Sequence, residues 1–549
     1  MLRSMLRQGL LYIRTVRHLR PVQVFGRVVP EAKRRLSKAG LIPVRVWEVP
    51  AKRLGRLQPQ TPFLFHDPWN FREDLKSGVF CFLNEARNLG WPPRWLEPSL
   101  PILWNYNLHY FNYLHLLEED EQVKLCKAWI DDNPPGRTVG WYPYPLSLRI
   151  VNWCKAGLRD PAVIESLYRQ AYYLSRNMEV YHPGNHLLEN ARSLVMAARY
   201  FEGGEHADAW MRAGLRILRK ELPVQVLNDG GYFERSPMYH AIMLEGFLDL
   251  CNVLPVNHDD RPMMAAVARR MCDLLASTTH PDGEIALFND STHEIAQSPS
   301  DLLDYAFRVL EYRPGVLHDF EDTGYFVTRS PELFLIVDGG PVGPDFIPAH
   351  AHADIFSFEL SVNGTRFVVD SGTFDYVPGA FRSHLRGTRA HNTVCVDDVD
   401  QVECWKSHRV GRRFYPREVK TSTSPGEWSF TGLYDGYSTL IGDGVVHERN
   451  ISVNYGDKVI SFADEIRGSG SHKIESRVHI HPDVHVYREN GGLILEREDT
   501  WVHVTGDLEG SRLEEGVYCP RFGVKIANTV LVLGGSRDLP ATLHFQIHF

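Results

Sequence analysis

Hydrophobic positions change their period part-way along the chain. Leu187, Ala191, Leu194, Val195 and Ala198 recur at the spacing of one face of an amphipathic helix. Similar stripes at Trp210–Leu222, Ile242–Leu254 and Met263–Leu275 predict antiparallel helix pairs joined by short connections. Beyond residue 320 the period becomes two: Phe356, Phe358 and Leu360 alternate with Ser357, Glu359 and Ser361. Asn363-Gly364 then supplies a tight hairpin turn before Arg366–Asp370. Further strand-like runs lie at 392–396, 458–463, 478–481, 492–495 and 530–533. Helices followed by strands predict separate domains, helical over 58–315 and antiparallel β over 316–549, preceded by an arm over 1–57.

A chain of 549 residues exceeds what one ordinary core supports, which agrees with two large domains. With 43% apolar and 23% charged residues it is expected to fold, not to stay disordered. The eight cysteines form no CxxC pair, so reduced, structural thiols are expected. No apolar run is long enough to span a bilayer, and arginines interrupt the opening MLRSMLRQGLLYIRTVRHLR before a signal-peptide core can form. The default expectation is therefore a cytoplasmic location.

Residues 1–57 carry a balance of +12 in a chain whose total is −8. Such a basic amphipathic opening suits peripheral contact with anionic lipid or an anionic polymer; a solvated helical arm packed on the first domain is the alternative. No nucleic-acid partner is expected.

The densest chemistry runs from His350-Ala-His352-Ala-Asp354 through Asp370 to Arg389-Ala-His391-Asn392-Thr393. In an extended strand His350, His352 and Asp354 would share one face, and later strands would bring Asp370 and His391 beside them. Two imidazoles and a carboxylate suit a divalent metal, zinc first, then manganese, with calcium a poorer match. His350 is left for other chemistry. Earlier in the chain, Ser236-Pro237 reads as the cap and first residue of a helix, with Tyr239 in its opening turn. The helix dipole and the cations Arg235 and His240 would then draw the phenol toward a lower pKa.

Asn185 and His186 open another helix, where the amide would donate to a substrate carboxylate or simply cap. Tyr106, His109, Trp141, Tyr144 and Arg149 combine flat rings with polar groups, a mixture suited to sugar rings as well as to core packing. Arg382, Arg386 and Arg389 would grip sulfate or carboxylate groups.

Together the motifs WNYNLHYFNYL, WYPYPLSLRIVNW, GNHLLENARSL, DGGYFERSPMYH, HAHADIFSFEL, VVDSGTFDY and RAHNTV resemble those of the heparinase II/III-like polysaccharide lyases, over most of the chain from about Trp104 to His391. The resemblance implies an incomplete α/α toroid followed by an antiparallel β-sandwich, a multidomain α + β fold. It implies Tyr239 as general acid and, for one substrate epimer, also base, with His350 as the second acid or base. Asn185 and His186 would neutralise a uronate, supported by Arg235 and His240, and His352, Asp370 and His391 would hold a structural metal.

The expected reaction is β-elimination on an anionic, uronic-acid-containing, glycosaminoglycan-like polysaccharide. Two rivals stand beside it. One is a glycoside hydrolase using Glu234 with Asp229 or Asp290, and the other is a non-catalytic polysaccharide-binding or assembly protein.

Overall fold

The computed structural model describes residues 2–26, 36, 56–489 and 491–549. Its first large unit is helical, and it is an incomplete α/α toroid whose last helix is Pro299–Leu310. Proline opens the helices Pro143–Ala156, Pro161–Arg176, Pro237–Val253 and Pro299–Leu310, where its missing N–H costs nothing. Asp160, Ser236 and Ser298 cap three of these by accepting backbone amides of the first turn. Pro237–Val253 buries nearly every residue around its circumference, so it runs through the middle of the toroid and not along its surface. Tyr239 sits in its first turn.

Apart from a small hairpin of Val79–Phe82 and Glu85–Asn88 in the helical unit, the strands follow from Asp319–Phe320 onward, in antiparallel sheets of five, eight and four strands and the two-stranded hairpin of Cys404–Trp405 and Arg409–Val410. Buried and less buried residues alternate along Glu427–Tyr434 and Val459–Arg467, as a strand with one face in a sandwich core requires. Phe462 lies between Phe358, at 4.6 Å, and Phe545, at 4.5 Å, in that core. Leu333–Asp338 is buried on both faces. Its Phe334 and Ile336 pack with Leu274, Phe288 and Tyr325, an apolar seam that locks the sandwich to the last toroid helices. This seam fixes groups from both domains against one another.

Two expectations change. His350–Asp354 is a loop, not a strand. Its backbone pairs with other loops: His350 O accepts from Asp290 N at 3.0 Å, His352 N donates to Asn289 Oδ1 at 2.9 Å, and Ala353 N donates to Arg386 O at 3.0 Å. The expected arm over 1–57 falls largely on residues 27–35 and 37–55, outside the described residues. Its longest described stretch runs through residue 26 and includes a helix, Leu2–Val16, resting on the hairpin of Cys404–Trp405 and Arg409–Val410. All eight cysteines are free thiols. Among the described residues no helix is long and apolar enough to cross a membrane.

Candidate active site

The turn that delivers Tyr239 is tightly specified. Asp229 accepts from Thr323 N at 2.7 Å, Thr323 Oγ1 at 2.8 Å and Gly231 N at 3.1 Å, tying the helical domain to the first strands. A side chain at position 231 would sit 1.7 Å from Thr323 Oγ1, so only glycine fits. Arg235 adopts a left-handed φ of 54°, and its carbonyl accepts from Asn289 Nδ2 at 2.9 Å and Tyr325 Oη at 2.6 Å. Ser236 Oγ then accepts from Tyr239 N at 3.3 Å to start the helix.

From the other domain, the His350 ring stacks on the Tyr239 ring with centroids 3.9 Å apart and planes 27° apart. Tyr239 Oη lies 3.2 Å from Tyr376 Oη, and the Tyr376 ring is 4.8 Å from His408. Asp290 sits behind this group. It accepts from His350 Nδ1 at 3.0 Å, His352 Nε2 at 2.9 Å and Arg382 Nη2 at 2.7 Å. Glu234 Oε2 stands 3.3 Å from the opposite nitrogen, Nε2 of His350. An open cleft next to Tyr239 and Tyr376 is lined by Tyr144, Asn107, Asn152, Lys155 and Arg192.

Burial, reinforced by Tyr376, pushes the Tyr239 phenol well above its ordinary pKa. This overturns the expected lowering. Arg235 spends its guanidinium on Thr323 O, Phe233 O and Asp322 O, and His240 Nε2 donates to Met271 O at 2.9 Å, so neither cation faces the phenol. Burial also raises the Glu234 carboxyl, with His350 acting against it. For Asp290 burial works upward as well, but Arg382 and the two imidazoles more than offset it and hold the carboxyl well below the usual range.

A divalent ion would fit next to this centre. His352, Asp354 and His391 present donor atoms that all lie within 4.8 Å of one another. His352 Nδ1 and His391 Nε2 are buried without a hydrogen-bond partner, as ligand nitrogens awaiting an ion would be. Burial raises the carboxyls of Asp354, to about 6, and of Asp370, so an added cation would be favoured there. The third donor differs from the expected one. Asp370 Oδ2 accepts from His391 Nδ1 at 2.8 Å, which makes it the carboxylate that orients a ligand imidazole, and Asp354 takes the place beside the two rings. A second group, Asp290, His350 and His408, already contains the Arg382 guanidinium as its cation.

The N-terminal domain profile of heparinase II/III matches residues 161–308, and the C-terminal profile of heparinase II/III-like proteins matches residues 313–545. The chain belongs to the heparinase II/III-like family. It is 27% identical over 325 residues to a heparin-sulfate lyase of Pedobacter heparinus, covering 51% of this chain and 48% of that one. It is also 27% identical over 252 residues to a heparin-sulfate lyase of Bacteroides stercoris, covering 40% and 37%. The chain thus spans less than half the length of these curated relatives. The crystal structure of a heparinase III superimposes with a TM-score of 0.67 at 16% identity, covering 96% of this chain and 93% of the other, and so shares the fold.

In this heparinase II/III-like site the remaining expected residues divide. Asn185 is the first residue of its helix, with Gly184 as cap, and its Oδ1 accepts from His186 N at 2.9 Å, leaving the amide nitrogen as its donor end. His186 stacks on Tyr144 with centroids 4.2 Å apart and donates to Glu179 at 2.9 Å. Tyr144 stands at the cleft, and His186, next to Asn185 in sequence, adjoins it through that stack. His109, Trp141 and Arg149 do not, because they form a buried aromatic core. Arg149 lies 3.7 Å over the Trp129 ring, and burial lowers His109 to about 3. Trp141 Nε1 donates to Asn133 O, and Tyr106 packs edge-on against Tyr142. Arg382 and Arg386 are wholly buried, gripping Asp290 and Ala351 O, so they position the loop and do not meet a ligand. Arg389 is paired with Asp398 and Glu475. Sequence reasoning missed Tyr376 and His408 and read Asp290 only as a hydrolytic carboxylate, because no local period marks which loop residues will meet.

Proposed function

We propose that this protein is a polysaccharide lyase that cleaves a uronic-acid-containing, glycosaminoglycan-like polymer by β-elimination. One observation carries the reading: a phenol and an imidazole from different domains stack 3.9 Å apart beside an open cleft. Removing a proton α to a carboxylate requires that the carboxylate charge be masked, and the donor end of Asn185, with His186 beside it, would do this. Burial keeps Tyr239 a neutral phenol, so it serves as the acid toward the departing O4. His350 takes the C5 proton. Asp290 accepts the Nδ1 proton of His350 and so directs the lone pair to Nε2. Tyr376, at 3.2 Å from Tyr239 Oη, is placed to pass a proton to or from that phenol. The product is an unsaturated uronate at the new non-reducing end.

A divalent ion on His352, Asp354 and His391 would supply charge neutralisation and brace the loop that bears His350. The relatives' names support a heparan-like polymer as the first substrate to test. Hydrolysis by paired carboxylates is disfavoured. Asp229 is consumed by Thr323, Asp290 by Arg382, and Glu234 abuts His350. The test is incubation with heparan-type, hyaluronan, chondroitin and alginate polymers while following ultraviolet absorbance of the conjugated double bond. Growth of absorbance with chain shortening supports elimination, whereas shortening without absorbance, or binding without shortening, refutes it.

A further inference from the structure

The Leu2–Val16 helix packs on the sandwich yet leaves an apolar stripe uncovered. The arc toward the sandwich is mixed: Leu11 lies against Gly411 and Tyr12 packs edge-on against Trp405 at 4.8 Å, while Arg14 Nη1 pairs with Glu403 at 2.5 Å and Thr15 Oγ1 donates to Val410 O at 3.2 Å and accepts from Trp405 Nε1 at 3.1 Å. Leu10, Ile13 and Val16, spaced by three and sharing the opposite arc, are 48%, 66% and 49% exposed. The apolar surface continues past the helix, where Val22, Val24 and Phe25 are 42%, 41% and 74% exposed although buried Gln23 anchors the segment through Phe346 O. Arg17 is exposed beside this stripe, within an arm whose balance is +12.

We infer that this face docks on an anionic lipid bilayer. Apolar side chains beside the exposed Arg17, in an arm of net positive charge, match the acyl boundary and headgroup charge of such a surface. A polysaccharide could stack a sugar face on Phe25 but would bring too little apolar surface to cover the aliphatic stripe of Leu10, Ile13 and Val16 as well. A second copy pairing through the same patch would set arginine against arginine. The surface lies one hairpin from the cleft, since the hairpin under the helix carries His408, whose ring lies 5.9 Å from His350 and 4.8 Å from Tyr376. The inference is independent of the lyase reading.

The test is flotation of the full chain with vesicles of phosphatidylcholine alone or mixed equally with phosphatidylglycerol, for the wild type, Ile13→Glu/Phe25→Glu and Arg17→Glu. The wild type is expected to bind anionic vesicles at least about tenfold better than neutral ones, with high salt weakening the binding. The double variant should lose at least about tenfold in binding and Arg17→Glu several-fold, with unchanged circular dichroism. Equal or negligible binding to both vesicle types would overturn the inference. So would binding indifferent to Ile13→Glu/Phe25→Glu, or a self-association that this variant abolishes in the absence of any lipid binding.

Discussion

Asp290→Asn separates positioning from substrate contact at this site. The carboxylate, itself fully buried, receives His350 Nδ1 at 3.0 Å, His352 Nε2 at 2.9 Å and Arg382 at 2.5 and 2.7 Å. An amide offers one acceptor oxygen and turns an NH2 toward either His350 or His352, and in both cases toward one nitrogen of the Arg382 guanidinium. If NH2 meets His350 Nδ1, the ring proton moves to Nε2 and the base is lost; kcat should fall by about 10²–10⁴, the usual worth of general acid–base catalysis. KM should change by no more than about threefold, because Asp290 lies behind the imidazole and not in the cleft. Leaving the buried Arg382 without its counter-charge should cost about 3–5 kcal/mol of stability, read by urea unfolding. Adding Arg382→Met to Asp290→Asn should restore most of that stability but none of the turnover. Initial rates from double-bond absorbance, with metal content measured in parallel, supply the readout. A folded Asp290→Asn variant whose kcat stays within about threefold of wild type would refute the assignment of Asp290 as the group that sets the His350 tautomer.

Other outcomes follow from the same geometry. Tyr239→Phe should lower kcat by about 10²–10⁴ while leaving polymer binding within a few-fold, measured by initial rates and by calorimetric titration; full turnover would end the lyase mechanism. The divalent ion proposed for this site should be lost in His352→Ala or His391→Ala, measured by elemental analysis after zinc loading, with a lower melting temperature, whereas Asp370→Asn should weaken its binding by about 10–100-fold without abolishing it. In the sandwich core Asp464 accepts from His447 at 2.9 Å and Arg449 at 2.7 and 2.8 Å. Burial lowers the His447 pKa, so the unfolded chain binds the extra proton below its ordinary value of about 6.5 and stability should fall as pH drops through that range. Asp464, which burial would raise, is held far below the ordinary carboxylate range by Arg449 and His447, so its contribution should persist through mild acid and vanish only in strong acid. Urea unfolding at several pH values checks both signs, and a stability that rises on acidification from pH 7 would contradict them. Asp464→Ala should cost about 3–5 kcal/mol near neutrality by the same measurement.

Periodicity by itself determined the order of the two architectures. A 3.6-residue stripe such as Leu187–Ala198 marks a helix and an alternation such as Phe358–Val362 marks a strand, so the helical unit and the sandwich are legible without coordinates; that Phe356 and Ser357 fall in the turn before this strand, and that its polar residues Glu359 and Ser361 are buried as well, is not. Local chemistry likewise placed Tyr239 in the first turn of a capped helix, since Ser236 and Pro237 act on their immediate neighbours. Only the tertiary structure decided which of the chemically apt residues meet. His109 and Arg149 look as suitable for a sugar as Tyr144 does, yet packing buries them against Trp129 and leaves Tyr144 at the cleft. The pKa of Tyr239 moved opposite to its sequence expectation, because burial is set by the surrounding chain and the cations adjacent in sequence point elsewhere. Asp290, sixty residues from His350, joins it to His352 and Arg382 through a contact between loops. Side-chain period and capping act over a few residues, whereas burial and long-range pairing depend on how the domains close on each other across the seam of Phe288, Tyr325 and Phe334.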